Sequence, residues 1–120
     1  MATRMKMRGA LGAVVSGRIR DMQELRSLDD FGVWARGTST VGTGAEAVPW
    51  SRDVDVSVGG VVVSPGDIIF ADPLEGVVCI PRNKLDEVLE MLPRLTEADE
   101  RVLEFVRGGV GVKEAFEKFR

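Results

Sequence analysis

An arginine and an aspartate stand side by side in the segment Gly-Arg-Ile-Arg-Asp (residues 17–21), where an apolar run gives way to a polar one. A fixed cation beside a carboxylate, at the point where a strand ends and a helix begins, suits a binding or catalytic site. Adjacent arginine and aspartate residues are also common. On spacing alone the simpler interpretation is favoured, in which Asp21 caps the following helix together with Glu24.

The composition limits the chemistry that any site in this chain can perform. The 120 residues include no histidine and one cysteine. The lack of histidine excludes Ser-His-Asp and Cys-His nucleophilic sites and imidazole zinc sites. The cysteine, Cys79, lies in an apolar run without a basic neighbour, which is typical of a buried and unreactive thiol. Chemistry must therefore depend on carboxylates, arginine, lysine, hydroxyl groups or a hard metal ion.

The charge balance and the apolar runs indicate where the protein works and what it does not bind. Sixteen basic against 19 acidic side chains give a net charge of −3, which does not favour nucleic acid as a partner. The basic side chains of residues 1–20 are interpreted as a solvated helix face, although they would also attract an anionic substrate to a cleft. A lone cysteine and the short apolar runs predict a cytoplasmic protein without a membrane partner.

Apolar patterning predicts one α/β domain over residues 1–120. Short β-branched runs predict strands at residues 13–17 and 33–37, with a helix at residues 22–28 between them. The small residues that follow, 38–45, indicate a plain connecting loop. Alternating valines, a Gly-Gly turn and a Pro-Gly-Asp turn predict a β-meander over residues 54–81.

The last third of the chain has the apolar spacing of helices. Asn83 is the predicted cap of a helix that begins near Lys84. Pro93 is expected to kink or interrupt this helix, and Gly108-Gly109 to end it. A last short helix carries apolar residues on one face between Val112 and Phe119.

Several separated motifs together resemble the RraA-like family. This family includes 4-hydroxy-4-methyl-2-oxoglutarate aldolases, oxaloacetate decarboxylases and bacterial regulators of ribonuclease E. The motifs that carry the resemblance are GALGAVVSGRIRD (residues 9–21), PGDIIFAD (65–72) and EGVVCIP (75–81). Within the family the chain looks most like fungal members, through WARGTSTVGTGAEA (residues 34–47).

The resemblance implies a fold and an assembly. The fold is a layered α/β/β/α domain of the swivelling type, with a central meander or barrel-like sheet and C-terminal helices. The assembly is a homotrimer or a hexamer with sites between subunits. By motif spacing, a family loop whose amides bind the substrate carboxylate would end at about Met1. The chain is therefore expected to be the C-terminal part of such a protein, without its N-terminal lobe.

The resemblance also implies roles for individual residues. Arg20 contacts a 2-keto acid and is the catalytic residue, Met1 adjoins the substrate, and Asp21 ligates Mg²⁺ or Mn²⁺. Such an ion, held through one carboxylate, keeps open positions for a bidentate keto acid. The implied activity is a divalent-metal-dependent lyase that releases pyruvate from 4-hydroxy-4-methyl-2-oxoglutarate or oxaloacetate.

Two other functions stay open at this stage. The first is a non-catalytic oligomeric regulator that binds a partner protein such as a ribonuclease. The presence of both Arg20 and Asp21 argues mildly against it, because a binding scaffold has no chemical need for that pair. The second is a structural fragment with no independent function, which would expose apolar surface.

Overall fold

The computed structural model describes residues 1–42, 44 and 48–120. The chain forms two compact units, Met1–Pro81 and Arg82–Arg120. Within the described residues, the first unit contains the strands and two short helices, and the second is helical. This confirms the predicted mixed α/β fold with several sheets and C-terminal helices. The layered arrangement as one domain stays a prediction.

The first unit begins with two strands that pair in parallel. Its first elements are α1 (Ala2–Lys6), β1 (Gly12–Ile19), α2 (Met22–Arg26) and β2 (Gly32–Thr38). The chain passes from β1 to β2 through α2, as parallel strands require a crossover connection. Both predicted strands are present, but the predicted end of β1 at Gly17 is wrong, since the strand continues to Ile19.

Two antiparallel hairpins follow in the chain. They are formed by β3 (Val56–Val58) with β4 (Val61–Val63), and by β5 (Ile68–Asp72) with β6 (Gly76–Ile80). The first hairpin turns through Gly59 and Gly60, whose φ values of 61° and 88° are both positive. A two-residue turn of this kind matches the twist of the flanking strands, and glycine adopts it without a steric penalty.

The predicted continuous meander is wrong in one respect. In the part of the chain that the structure describes, β4 does not pair with β5, and each hairpin is a separate two-stranded sheet. The turn between them explains the break. The Asp67 carboxylate accepts the Ser64 amide at 2.8 Å, and Pro65 has no amide hydrogen, so these groups cannot donate to a ladder. The Trp34 indole N–H donates to the Asp72 carbonyl at 3.2 Å and joins β2 to β5.

The second unit consists of a long helix and a short one. A 3₁₀ turn at Arg82–Lys84 leads into α3 (Leu85–Arg107), and α4 spans Val112–Phe119. The predicted interruption at Pro93 is wrong, since α3 runs through it. Proline removes one amide donor from the helix, and the turns on both sides keep theirs. No side chain caps the start of α3, so the predicted Asn83 cap is also wrong.

Gly108-Gly109 ends α3 as predicted. Gly109 has φ 91°, and its amide donates to the Val106 carbonyl at 3.0 Å. The Val110 amide donates to the Phe105 carbonyl at 3.1 Å. These two bonds satisfy carbonyls that a helix end leaves without partners, and they form the Schellman motif.

Few side chains are buried within the described residues. The buried apolar residues are Phe31 in the first unit and Val102 and Ala115 in the second. Many apolar side chains of the hairpin strands are exposed, among them Val56, Val61, Val62, Phe70 and Val78. No described helix is long and apolar enough to cross a bilayer.

Candidate active site at the end of the parallel strands

The carboxyl ends of β1 and β2 lie side by side. Ile19, the last residue of β1, is paired with Thr38, the last residue of β2. The backbone continues this pairing, because the Ser39 amide donates to the Ile19 carbonyl at 2.8 Å. Residues that follow the two strands therefore meet at one edge, which is where parallel sheets place ligand sites.

A bulge in β1 sets which side chains reach this edge. Val15 pairs with Ala35, whereas Arg18 pairs with Gly37, so two residues of β1 lie opposite one residue of β2. An extra residue of this kind shifts the alternation of the side chains that follow. After the bulge, Arg18 and Arg20 are two positions apart, which places them on the same side of the extended chain.

The Asp21 backbone leaves its carboxylate free of the following helix. Asp21 is the N-cap position of α2, but its side chain makes no capping hydrogen bond, and its φ and ψ are 60° and 43°. Capping residues usually have extended backbone, so this left-handed conformation explains the lost cap. Glu24, which is predicted to complete the cap with Asp21, instead accepts a hydrogen bond from the Thr3 hydroxyl at 2.6 Å. The capping interpretation of Asp21 is therefore wrong.

Arg20 and Asp21 form an ion pair in which Nε of Arg20 lies 3.3 Å from Oδ2 of Asp21. The two side chains are 50% and 56% exposed. An exposed pair of this kind contributes little to stability, typically about 0–1 kcal/mol. The Arg20 guanidinium lies next to Gly42, where an added β-carbon would be 3.5 Å from an Nη atom. The ion pair is thus exposed, and Gly42, which has no side chain, does not crowd the Arg20 guanidinium.

The pair lines an open hollow of about 470 Å³. The residues around this hollow are Arg18, Arg20, Asp21, Met22, Thr38, Ser39, Thr40 and Val41. A second open hollow, of about 570 Å³, lies along α2 and is lined by residues 21–24 and Ser27. Asp21 and Met22 border both hollows, so the Asp21 carboxylate is accessible from two sides.

Met1, the third residue given a site role by the sequence, is not part of either hollow's lining. It is 79% exposed and precedes α1. Its carbonyl accepts the amides of Arg4 and Met5 at 3.1 and 3.2 Å. The structure thus brings Arg20 and Asp21 together and does not place Met1 with them, and the role of Met1 stays a prediction.

Asp21 has the chemistry of a ligand for a hard divalent ion. Within residues 1–42, 44 and 48–120, no group of three or more acidic or thiol side chains is arranged to hold a metal. Mg²⁺ does not need such a cage, because it keeps several waters and binds proteins through one or two carboxylates. An exposed carboxylate that is not tied to its helix fits this requirement, and Mg²⁺ or Mn²⁺ at Asp21 is a prediction that the geometry allows.

The sequence does not predict that Arg18 and the residues from Thr38 to Val41 line this hollow. In the sequence, Thr38 and the residues after it have the pattern of a plain connecting loop, and Arg18 is only one of the basic side chains of residues 1–20. The parallel pairing of β1 and β2 brings these groups next to Arg20. The available signal was the pattern of two strands around one short helix, because such a unit is parallel.

Cys79 is not a second candidate for catalysis. Burial raises the pKa of its thiol, and the negative charge of Asp67, whose Oδ2 lies 3.7 Å from Sγ, raises it further. A raised pKa disfavours the thiolate, which is the nucleophilic form. This agrees with the prediction of an unreactive thiol.

Comparison with known proteins points to one family. The sequence model of the RraA-like family, described as Aldolase/RraA, matches residues 1–79. The chain is 35% identical over 95 residues to a Halalkalibacterium halodurans protein named "Putative 4-hydroxy-4-methyl-2-oxoglutarate aldolase", covering 79% of this chain and 44% of that protein. It is 30% identical over 109 residues to an uncharacterized Methanocaldococcus jannaschii protein, covering 91% of this chain and 51% of that one.

Two further proteins are similar over most of the chain. Protein DlpA of Legionella pneumophila is 30% identical over 109 residues, covering 91% of this chain and 17% of that protein. The crystal structure of an uncharacterized Pseudomonas syringae protein has a TM-score of 0.84 at 20% identity, covering 99% of this chain and 55% of that one. The chain thus spans about half, or less, of the length of these curated relatives. Because the family model matches most of the sequence, this chain belongs to the RraA-like (Aldolase/RraA) family.

Proposed function

We propose that this chain carries the active-site pair of a divalent-metal-dependent lyase that releases pyruvate from a 2-keto acid. The substrate is 4-hydroxy-4-methyl-2-oxoglutarate or oxaloacetate. The observation that supports this most directly is the exposed Arg20–Asp21 pair at the carboxyl edge of β1 and β2, where the aspartate is not used to cap its helix. Membership of the Aldolase/RraA family agrees with this chemistry.

In this proposal the two charged side chains have separate tasks. Asp21 holds the divalent ion, which when bound supplies positive charge that draws electron density from the keto oxygen. Arg20 binds the carboxylate next to the keto group, because a guanidinium donates two parallel hydrogen bonds to a carboxylate. The permanent charge of Arg20 offsets the negative charge left on the three-carbon fragment when the carbon–carbon bond breaks. Neither task needs histidine, which the chain lacks.

The proposal includes a larger assembly. The hollow at Arg20 and Asp21 is open, and further protein would be needed to exclude water from it. Exposed apolar side chains on both hairpins support contact with more protein. We propose that this protein is a homotrimer or hexamer in the cytoplasm, acting on a small molecule and not on nucleic acid.

The test is pyruvate release by the full natural polypeptide from each of the two keto acids, with and without a chelator. We expect activity to depend on Mg²⁺ or Mn²⁺. Asp21→Asn should lower it by about 100-fold or more, since loss of even an outer-shell partner of a metal ligand costs about 10- to 100-fold. The matched control is Asp30→Asn, because Asp30 is also exposed and also has positive φ, at 52°. It should keep full activity.

Two results would contradict the proposal. One is pyruvate release that a chelator does not reduce, and the other is an Asp21→Asn variant as active as the Asp30→Asn control. If the protein releases no pyruvate, binds no metal in calorimetry and captures a specific protein partner, it is a regulator instead.

A further inference from the structure

A second arginine faces the hollow that contains Arg20 and Asp21. Arg18 lies on β1 just after the bulge, and it lines the hollow together with that pair. Residues two positions apart on a strand are separated by about 6.6 Å. Arg18 and Arg20 therefore lie close together along the chain, and both line one hollow.

The two arginines differ in how their charge is used. The Arg20 side chain is paired with Asp21, whereas the Arg18 side chain has no hydrogen-bond or ion-pair partner among residues 1–42, 44 and 48–120. Among the residues that the structure describes, the ionised side chains that line the hollow are these two arginines and one aspartate, which give it a charge of +1. Within that set, the positive charge without a paired carboxylate is the one on Arg18.

The end of β2 adds hydroxyl groups to the lining of the hollow. They belong to Thr38, Ser39 and Thr40. The Ser39 oxygen accepts the Val41 amide at 3.1 Å, so its hydrogen can be donated to a ligand. Gly37 lies beside Arg18, where an added β-carbon would be 3.9 Å from Cγ of the arginine. A guanidinium next to several hydroxyl donors is a set of groups that binds a carboxylate.

We propose that Arg18, together with the hydroxyl of Ser39, binds the second carboxylate of a dicarboxylic 2-keto acid. The inference rests on the function proposed above, in which the keto acid end of the substrate lies at Arg20 and Asp21. Arg18 then determines specificity: it favours keto acids with a distal carboxylate over those without one. It contacts the part of the substrate that departs, whereas Arg20 and Asp21 hold the part that becomes the pyruvate enolate.

The test compares two unreactive ligands in the presence of Mg²⁺ by calorimetry. One is 2-oxoglutarate, which has a distal carboxylate, and the other is pyruvate, which has none. Arg18→Gln should weaken 2-oxoglutarate binding by about 10- to 100-fold, the range expected for hydrogen bonds to a charged group. Pyruvate affinity should not change. Arg18→Lys keeps the charge and should lose less than Arg18→Gln.

The matched control is Arg36→Gln, because Arg36 is an exposed arginine on β2 that does not line the hollow. It should bind both ligands as the natural protein does. The proposal is overturned if Arg18→Gln weakens both ligands equally, or neither, or if Arg36→Gln shows the same selective loss. Metal-independent lyase activity would refute the proposed function, and the comparison of the two ligands would still decide the role of Arg18.

Discussion

Replacing Gly12 with alanine should loosen the parallel strand pair that carries the site. Gly12 is the first residue of β1 and is paired with Gly32 at the start of β2. A β-carbon at Gly12 would lie 2.7 Å from the Gly32 carbonyl oxygen, whereas ordinary contact begins at 3.4 Å. The strands must therefore separate locally by 3.4 − 2.7 = 0.7 Å, and the obstructing atom belongs to the backbone and cannot rotate away.

The expected cost of Gly12→Ala is about 1–3 kcal/mol of unfolding free energy, the usual range for inserting a methyl group into a space that is already filled. Gly17→Ala is the matched control on the same strand, because a β-carbon there meets nothing within 4 Å. It should leave stability unchanged or raise it by up to about 1 kcal/mol, since alanine restricts the unfolded chain.

Urea unfolding followed by tryptophan fluorescence measures the stability of the unit that contains Gly12. Both tryptophans, Trp34 and Trp50, lie in Met1–Pro81, so the signal reports on that unit. Gly12→Ala that unfolds at the same urea concentration as the natural protein would show that the strands are not crowded at Gly12. An equal loss of stability in Gly17→Ala would show that crowding at Gly12 is not the cause.

Two further predictions concern a turn and a helix end. Hydrogen bonds from the backbone amides of Glu75 and Leu74 hold the pKa of Asp72 below its ordinary value of 3.8. Ionised Asp72 therefore stabilises the fold above pH 3.8, and this stabilisation is lost as the pH falls through the lower pKa of the folded state. The difference in unfolding free energy between the natural protein and Asp72→Ala, measured by urea unfolding, should shrink in acid, and a constant difference between about pH 6 and about pH 2 would contradict this. Gly109→Ala should lower the unfolding free energy by about 1–2 kcal/mol, because φ is 91° at this position. Gly111→Ala, at φ −61°, should lower it less. Equal losses in unfolding followed by circular dichroism would exclude backbone strain as the reason.

Local residue chemistry predicts the strands and turns of this chain well. Gly59 and Gly60 mark the first hairpin, and Gly108-Gly109 marks the end of α3, because each position needs a backbone angle that glycine adopts easily. The errors have a different origin. Gly17 indicates a strand end because glycine usually interrupts a strand, but here it lies in a bulge and pairing with β2 continues beyond it.

Pro93 and Asp21 show the same limit. Each has a local preference, to interrupt a helix and to cap one, and the surrounding chain overrides it. At the site, the family motif that contains Arg20 and Asp21 is enough to find them. It does not find Arg18 and Ser39, because what brings these two together is the pairing of two strands that are separated in sequence by a helix. No property of either residue alone indicates that both line one hollow.

The bulge in β1 absorbs one extra residue, so that the charged residues keep their place opposite β2. Two residues of β1 lie opposite one residue of β2 between Val15 and Arg18, and Arg18 still pairs with Gly37. If the same residues formed a regular ladder without the bulge, Arg18 would lie opposite Thr38, and every later side chain of the strand would exchange sides. Ile19 would then take the direction that the arginines have now. A change at position 16 or 17 that removed the bulge would therefore turn the arginines away from the hollow without altering either of them.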